Sequence, residues 1–130
     1  MYDILIVDDS RAMRNFLRKA LAMTCLEIGT VHEAVNGMEA LGVLEEHSVQ
    51  FIFSDINMPV MDGTVFIGEL AKREITKRIP VLVVSTDSSR ERVEQILCLG
   101  AKGYIAKPFS PEMLEREVTR LIEEAVDGAA

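Results

Sequence analysis

Apolar residues along this chain gather in short unbroken runs: Ile4 to Val7, Phe51 to Phe53, Val81 to Val84 and Tyr104 to Ala106. Such runs, with little polar alternation, predict strands covered on both faces, as in a parallel sheet. A weaker fifth strand is expected at Thr30 to Ala34. Between the runs the spacing turns helical. Ser10 can cap a helix reaching about Met23, with Met13, Phe16, Leu17 and Ala20 on one inward face. Met38 to Glu46 and Thr64 to Arg73 predict two more. A fourth is capped by Ser88 or Ser89, turns Val93, Ile96 and Leu97 inward, and stops at Gly100, a residue suited to a left-handed terminus. The last takes Ser110 as cap and Pro111 at its first position, then carries Leu114, Val118, Leu121 and Ile122. Five strands alternating with five helices, without repeat or linker, imply one parallel α/β sheet in a single domain over residues 1–130.

Size and charge narrow the picture. A chain of 130 residues, 48% hydrophobic, can fill one core and leaves little for a second. A formal charge of -7 argues against direct binding of nucleic acid or anionic lipid. No apolar stretch approaches the ~20 residues of a membrane span, so a cytoplasmic protein without membrane insertion is expected. Cys25 and Cys98 have no metal-type spacing and are expected as reduced, packed residues. His32 and His47 lack ligand-spaced companions and are expected at the surface. The methionines at 13, 23, 38, 58, 61 and 113 are expected in core or turn packing rather than on a binding surface.

The polar residues that follow the strands carry the chemistry. They are Asp8-Asp9 after the first, Asn36-Gly37 after the second, Asp55 at the third, Ser85-Thr86 at the fourth and Lys107 after the fifth. Open parallel sheets bind ligands outside the carboxyl ends of their strands, where the strand order reverses. In a flavodoxin-like, doubly wound five-stranded sheet of order 2-1-3-4-5, the order of known folds of this class, Asp8 and Asp9 would lie beside Asp55. Two carboxylates ~4 Å apart repel by about 4 kcal/mol at an effective dielectric of ~20, so three together call for a proton or a cation. Oxygen ligands without nearby His or Cys suit Mg²⁺. Lys107 adds a mobile positive charge for an anionic group and Ser85 a hydrogen-bond donor.

These residues resemble the receiver domain of two-component response regulators over nearly the whole chain. The matching pieces are Asp8-Asp9, Asp55-Ile56-Asn57-Met58-Pro59 with Met61-Asp62-Gly63, the Ser85 hydroxyl, and Gly103-Tyr104-Ile105-Ala106-Lys107-Pro108-Phe109. The resemblance implies that Asp55 is the phosphoacceptor, Asp9 a direct Mg²⁺ ligand, Asp8 a ligand through water, and the Asn57 carbonyl a further ligand. Ser85 and Lys107 would bind the phosphoryl oxygens. The donor would be a phosphohistidine on a sensor histidine kinase or phosphotransfer protein. Asn57 and Asp87, two residues past the acceptor and the hydroxyl, would tune self-dephosphorylation, giving a lifetime of seconds to minutes. Ser85 would move to the phosphoryl group and Tyr104 turn inward, altering the surface of helix 4, strand 5 and helix 5, with Arg90, Val93, Glu94, Lys102 and Tyr104 as the partner face. The Lys107-Pro108 bond would be cis. Ser85 stands where Thr is commoner, and Thr86 is bulkier than the small residue often beside it.

The likeness is greatest to single-domain chemotaxis receivers, and a monomer acting as a switch, with no separate turnover substrate, is expected. Two other readings compete. The chain could be the receiver half of a longer regulator, or a magnesium phosphohydrolase working through an aspartyl phosphate. The latter group carries a second acid two residues past its nucleophile, where this chain has Asn57. Flavin binding is disfavoured because Asp8-Asp9 would repel a metal-free phosphate.

Overall fold

The computed structural model describes residues 1–87 and 89–129, with side chains as far as Glu124. In chain order the elements are β1 (Tyr2–Val7), α1 (Arg11–Ala22), β2 (Ile28–Ala34), α2 (Gly37–Glu46), β3 (Phe51–Ser54), α3 (Gly63–Lys72), β4 (Val81–Ser85), α4 (Arg90–Leu99), β5 (Gly103–Ala106) and α5 (Pro111–Ala129). All strand pairs are parallel and the sheet order is β2-β1-β3-β4-β5, as expected.

The period of two along each strand divides the apolar runs between two cores. Leu5, Val7, Ile52, Val81 and Val83 face the layer of α2, α3 and α4, where Leu41, Phe66, Ile67, Leu70 and Ile96 meet them. Ile4, Ile6, Phe51, Phe53, Leu82 and Val84 face α1 and α5, meeting Leu17, Leu21, Leu114, Val118 and Leu121. This double cover explains the lack of polar alternation in the sequence.

Helix starts follow side-chain capping. Ser10, Asn36, Asp62 and Ser89 each accept a hydrogen bond from the amide three residues on, and Ser110 does the same for Met113. Ser88 lies outside the described residues. Gly100 ends α4 at φ 124°, a left-handed region that favours glycine. Asp62 holds α3 with one oxygen, Oδ1, which accepts from the Thr64 hydroxyl at 2.6 Å and the Val65 amide at 3.1 Å. Those bonds, the Thr64 hydroxyl first, keep its carboxyl below the usual range. A lowered folded-state pKa contributes stability that is present at neutral pH and lost as pH falls through it. Asp62→Ala is expected to cost about 1 kcal/mol at pH 7. Urea midpoints of the two proteins should converge as the pH falls below the ordinary aspartate range; a gap that widens there would refute this.

Several expectations about packing need correction. Phe16 is 43% exposed, because the buried stripe of α1 runs through Leu17, Ala20 and Leu21 and leaves residue 16 rotated outward; its ring meets Phe109 edge to face at 5.5 Å. Leu97 is 41% exposed, since α4 buries only Ile96 against the short strands at that side of the sheet. Cys25 and Cys98 are free but exposed, one in the loop after α1 and the other on the outer face of α4. Among the methionines Met58 is buried, whereas Met23, Met38 and Met113 are exposed on or beside outward helix faces. His32 is half-buried and His47 exposed, with their rings stacked at 4.4 Å.

Candidate functional site

Adjacent β1 and β3 deliver the acids. Val7 pairs with Ser54 in the ladder, and the Asp55 amide donates to the Val7 carbonyl at 2.9 Å, so Asp8 and Asp55 leave the sheet side by side. One carboxylate oxygen from each of Asp8, Asp9 and Asp55 lies within 4.8 Å of the others. Asp8 is buried, Asp55 half-buried and Asp9 exposed. The cis Lys107-Pro108 bond follows β5, and the Lys107 amide donates to the Ser85 carbonyl at 2.9 Å. Its Nζ lies 3.5 Å from Asp8 Oδ2 and 3.7 Å from Asp55 Oδ2.

The two Asp55 oxygens differ. Oδ1 accepts the Ile56 amide at 2.7 Å, while Oδ2 faces Lys107. Asp8 Oδ1 accepts the Ser10 amide at 2.8 Å, and Arg14 Nη1 donates to the Asp8 carbonyl at 2.7 Å. Arg14 is itself held by Glu33 at 2.8 Å. Burial raises the Asp8 carboxyl pKa, as do the charges of Asp55 and Asp9, against the opposing Ser10 amide and Lys107. Lys107 faces two of the three acids. The oxygen-only donor set and its excess negative charge fit a hard divalent cation, which Asp8, Asp9 and Asp55 could hold.

A raised folded-state pKa favours the proton, so this contribution to stability is present in acid and is lost as pH rises through the folded value. At pH 7 without metal, Asp8→Asn should therefore stabilise the fold, by on the order of 1 kcal/mol. It should also reduce the increase in stability that a divalent cation confers on the native chain. Urea unfolding with and without Mg²⁺ checks both; a lower metal-free midpoint in the variant would contradict the sign.

Ser85 is fully buried at the end of β4, and its Oγ accepts the Asp87 amide at 3.2 Å. Tyr104, paired with Val83 across β4 and β5, donates its hydroxyl to the Asp87 carbonyl. Asp87 lies half-exposed with its side chain toward α4: Oδ1 accepts the Ser89 amide at 3.2 Å and Oδ2 faces Arg92 at 3.8 Å. Asn57 is exposed in the loop after Asp55. Asp8, Asp9, Asp55 and Lys107 thus form one cluster, while Ser85, Tyr104 and Asp87 form a second linked group beside it.

Sequence reasoning missed Val60 and Arg14, and named Gly63 only as part of a motif. Val60, in the loop between β3 and α3, has φ 67°, a costly conformation for a β-branched residue. Gly63 packs against the Asp55 backbone and donates its amide to the Ile56 carbonyl at 2.7 Å. Arg14 secures the end of β1. Gly63 stands in a motif whose spacing was visible, but the close approach that requires glycine is not encoded by spacing. Arg14 sits in an ordinary helical stretch and gives no signal.

The family model of the response regulator receiver domain matches residues 4–119. The chain is similar to chemotaxis protein CheY-3 of Vibrio cholerae, with 32% identity over 120 residues, covering 92% of this chain and 91% of that protein. It is also 32% identical over 120 residues to chemotaxis protein CheY of Pseudomonas aeruginosa, covering 92% and 95%. Among solved structures it resembles the chemotaxis response regulator CheY4 of Vibrio cholerae at a TM-score of 0.83, with 33% identity and coverage of 93% and 98%. Among the described residues no helix is long and apolar enough to cross a membrane. The strand order, the acid cluster with its lysine and the match over residues 4–119 place this chain in the response regulator receiver domain family, as a phosphorylation-activated signalling switch.

Proposed function

We propose that Asp55 accepts the phosphoryl group from a phosphohistidine of a sensor histidine kinase or phosphotransfer protein. The supporting observation is the convergence of Asp8, Asp9 and Asp55 with Lys107, which leaves Asp55 Oδ2 directed at a cation while Oδ1 is held by the Ile56 amide. Asp55 Oδ2 forms the new bond to phosphorus as the bond to the imidazole nitrogen breaks, and the histidine takes up a proton afterwards. Lys107 compensates charge on the transferring oxygens. Asp9, Asp55 and the Asn57 carbonyl would hold Mg²⁺, with Asp8 acting through water, and the ion would supply further charge neutralisation when bound.

Hydrolysis of the acyl phosphate returns Asp55 to its resting form, so the protein turns over no separate substrate. Asn57 and Asp87 tune that step, giving a lifetime of seconds to minutes; phosphate-release kinetics persisting for many hours would overturn this. Ser85 follows the phosphoryl group and Tyr104 turns inward, shifting the population between two packings. The output face is that of α4, β5 and α5, where Arg90, Glu94 and Lys102 are exposed and Val93 and Tyr104 half-buried. Residues 1–130 act as one cytoplasmic, monomeric receiver, and chemotaxis is the pathway favoured by its relatives.

Incubation with Mg²⁺ and a small phosphodonor tests the chemistry. A stoichiometric, acid-stable, base-labile phosphate is expected; continuous turnover of phosphate esters would instead indicate a hydrolase. Pull-downs with and without beryllium fluoride test the switch, and identical partner sets would count against it.

A further inference from the structure

Asp87 is tied on two sides. Its backbone holds the switch residues, with the amide on Ser85 Oγ and the carbonyl accepting Tyr104. Its carboxylate serves α4, accepting the Ser89 amide and facing Arg92. The Arg92 contact is unfinished. The 3.8 Å between Nε and Asp87 Oδ2 is too long for a hydrogen bond. Among the described residues, Arg92 Nε is the one buried side-chain nitrogen or oxygen without a hydrogen-bond partner. A buried donor lacking an acceptor destabilises the packing that contains it.

One other nitrogen of the guanidinium is engaged. Nη1 donates to Gln95 Oε1 at 3.0 Å, and the charge also acts on Asp62 at the start of α3. Arg92 is therefore anchored within α4, while Asp87 sits in the loop leaving β4. The gap closes if Asp87 shifts by about 1 Å, and the bond from its amide to Ser85 Oγ is one of the restraints on that shift, beside its bonds with Tyr104 and the Ser89 amide.

We propose that Arg92 is a positioning residue of the switch, whose Nε closes on the Asp87 carboxylate when Ser85 Oγ leaves the Asp87 amide for the phosphoryl group, so favouring the phosphorylated packing. The proposal rests on the reading of Asp55 as acceptor and Ser85 as the group that follows the phosphoryl. A hydrogen bond gained in one of two packings biases the equilibrium by its differential worth, so removing it should weaken binding of a phosphoryl mimic about fivefold.

Calorimetric titration of the full chain with beryllium fluoride in saturating Mg²⁺ tests this. Arg92→Ala should bind the mimic about fivefold more weakly, with Mg²⁺ affinity alone within about twofold of the native value, since Arg92 does not touch the acid cluster. Asp87→Ala should weaken the mimic similarly, and the double variant should be no weaker than either single variant. Arg92→Lys keeps the charge without the Nε donor and supplies a second variant should the alanine form fold poorly; it should bind about threefold more weakly than native. Native affinity in both Arg92 variants, or multiplicative losses in the double variant, would overturn the proposal. Failure of the native chain to bind the mimic would instead overturn the receiver chemistry on which it rests.

Discussion

Asp55→Asn is expected to lower phosphate incorporation from a small phosphodonor by more than ~10³-fold, the scale seen when a covalent nucleophile is removed. The native Oδ2 is an anionic oxygen facing Lys107, whereas the amide oxygen of Asn is a poor nucleophile and the amide nitrogen has a delocalised lone pair. The change leaves the scaffold intact. Asn can still accept the Ile56 amide, and removing one of three crowded carboxylates relieves repulsion. The variant should therefore unfold at a higher urea concentration than native protein without metal, which separates lost chemistry from lost structure. Radiolabel incorporation with a base-lability check decides the matter: a native level of base-labile label in Asp55→Asn would remove Asp55 from its role.

Gly63→Ala should be the most damaging small substitution near the site. A Cβ there would lie 2.2 Å from the Asp55 carbonyl oxygen and 2.7 Å from the Ile56 Cα. Both neighbours are backbone, so relief requires moving either the start of α3 or the segment carrying the acceptor. Overpacking of this kind costs about 3 kcal/mol, and a displacement near 1 Å can slow a positioned reaction ~10²-fold. Gly68→Ala is the matched control. It lies in the same helix with nothing within 4 Å of an added Cβ, and should be neutral or stabilise by up to about 1 kcal/mol. Urea unfolding and the initial rate of phosphorylation measure both variants; equal behaviour of the two alanines would show that the close approach at Gly63 is unimportant.

Much of the scaffold was legible because it depends on local rules. Apolar runs marked four strands and weaker alternation the fifth, Ser10, Ser110 and the pair Ser88-Ser89 marked helix starts, and Gly100 marked the end of α4. Asn36 entered only as a polar residue after the second strand and Asp62 only as a motif position, although each caps a helix. Phe16 and Leu97 were placed inward because helical spacing gives a stripe but not its width. That width depends on how much sheet the helix covers, and α4 buries one residue where its pattern offered three.

The site divides in the same way. Sequence alone marked the candidates for the chemistry, since Asp8-Asp9, Asp55, Ser85 and Lys107 each follow a strand expected from the sequence and resemble a family pattern in order. Tertiary structure decided their relations. It turned Asp55 Oδ2 toward Lys107, linked Ser85 and Tyr104 through the backbone of Asp87, and left Arg92 Nε short of an acceptor. Strand-forming and capping signals act over a few neighbouring residues and are written in their order. Distances between side chains from different strands are set by sheet order, register and the packing of helices on both faces, which no local pattern contains.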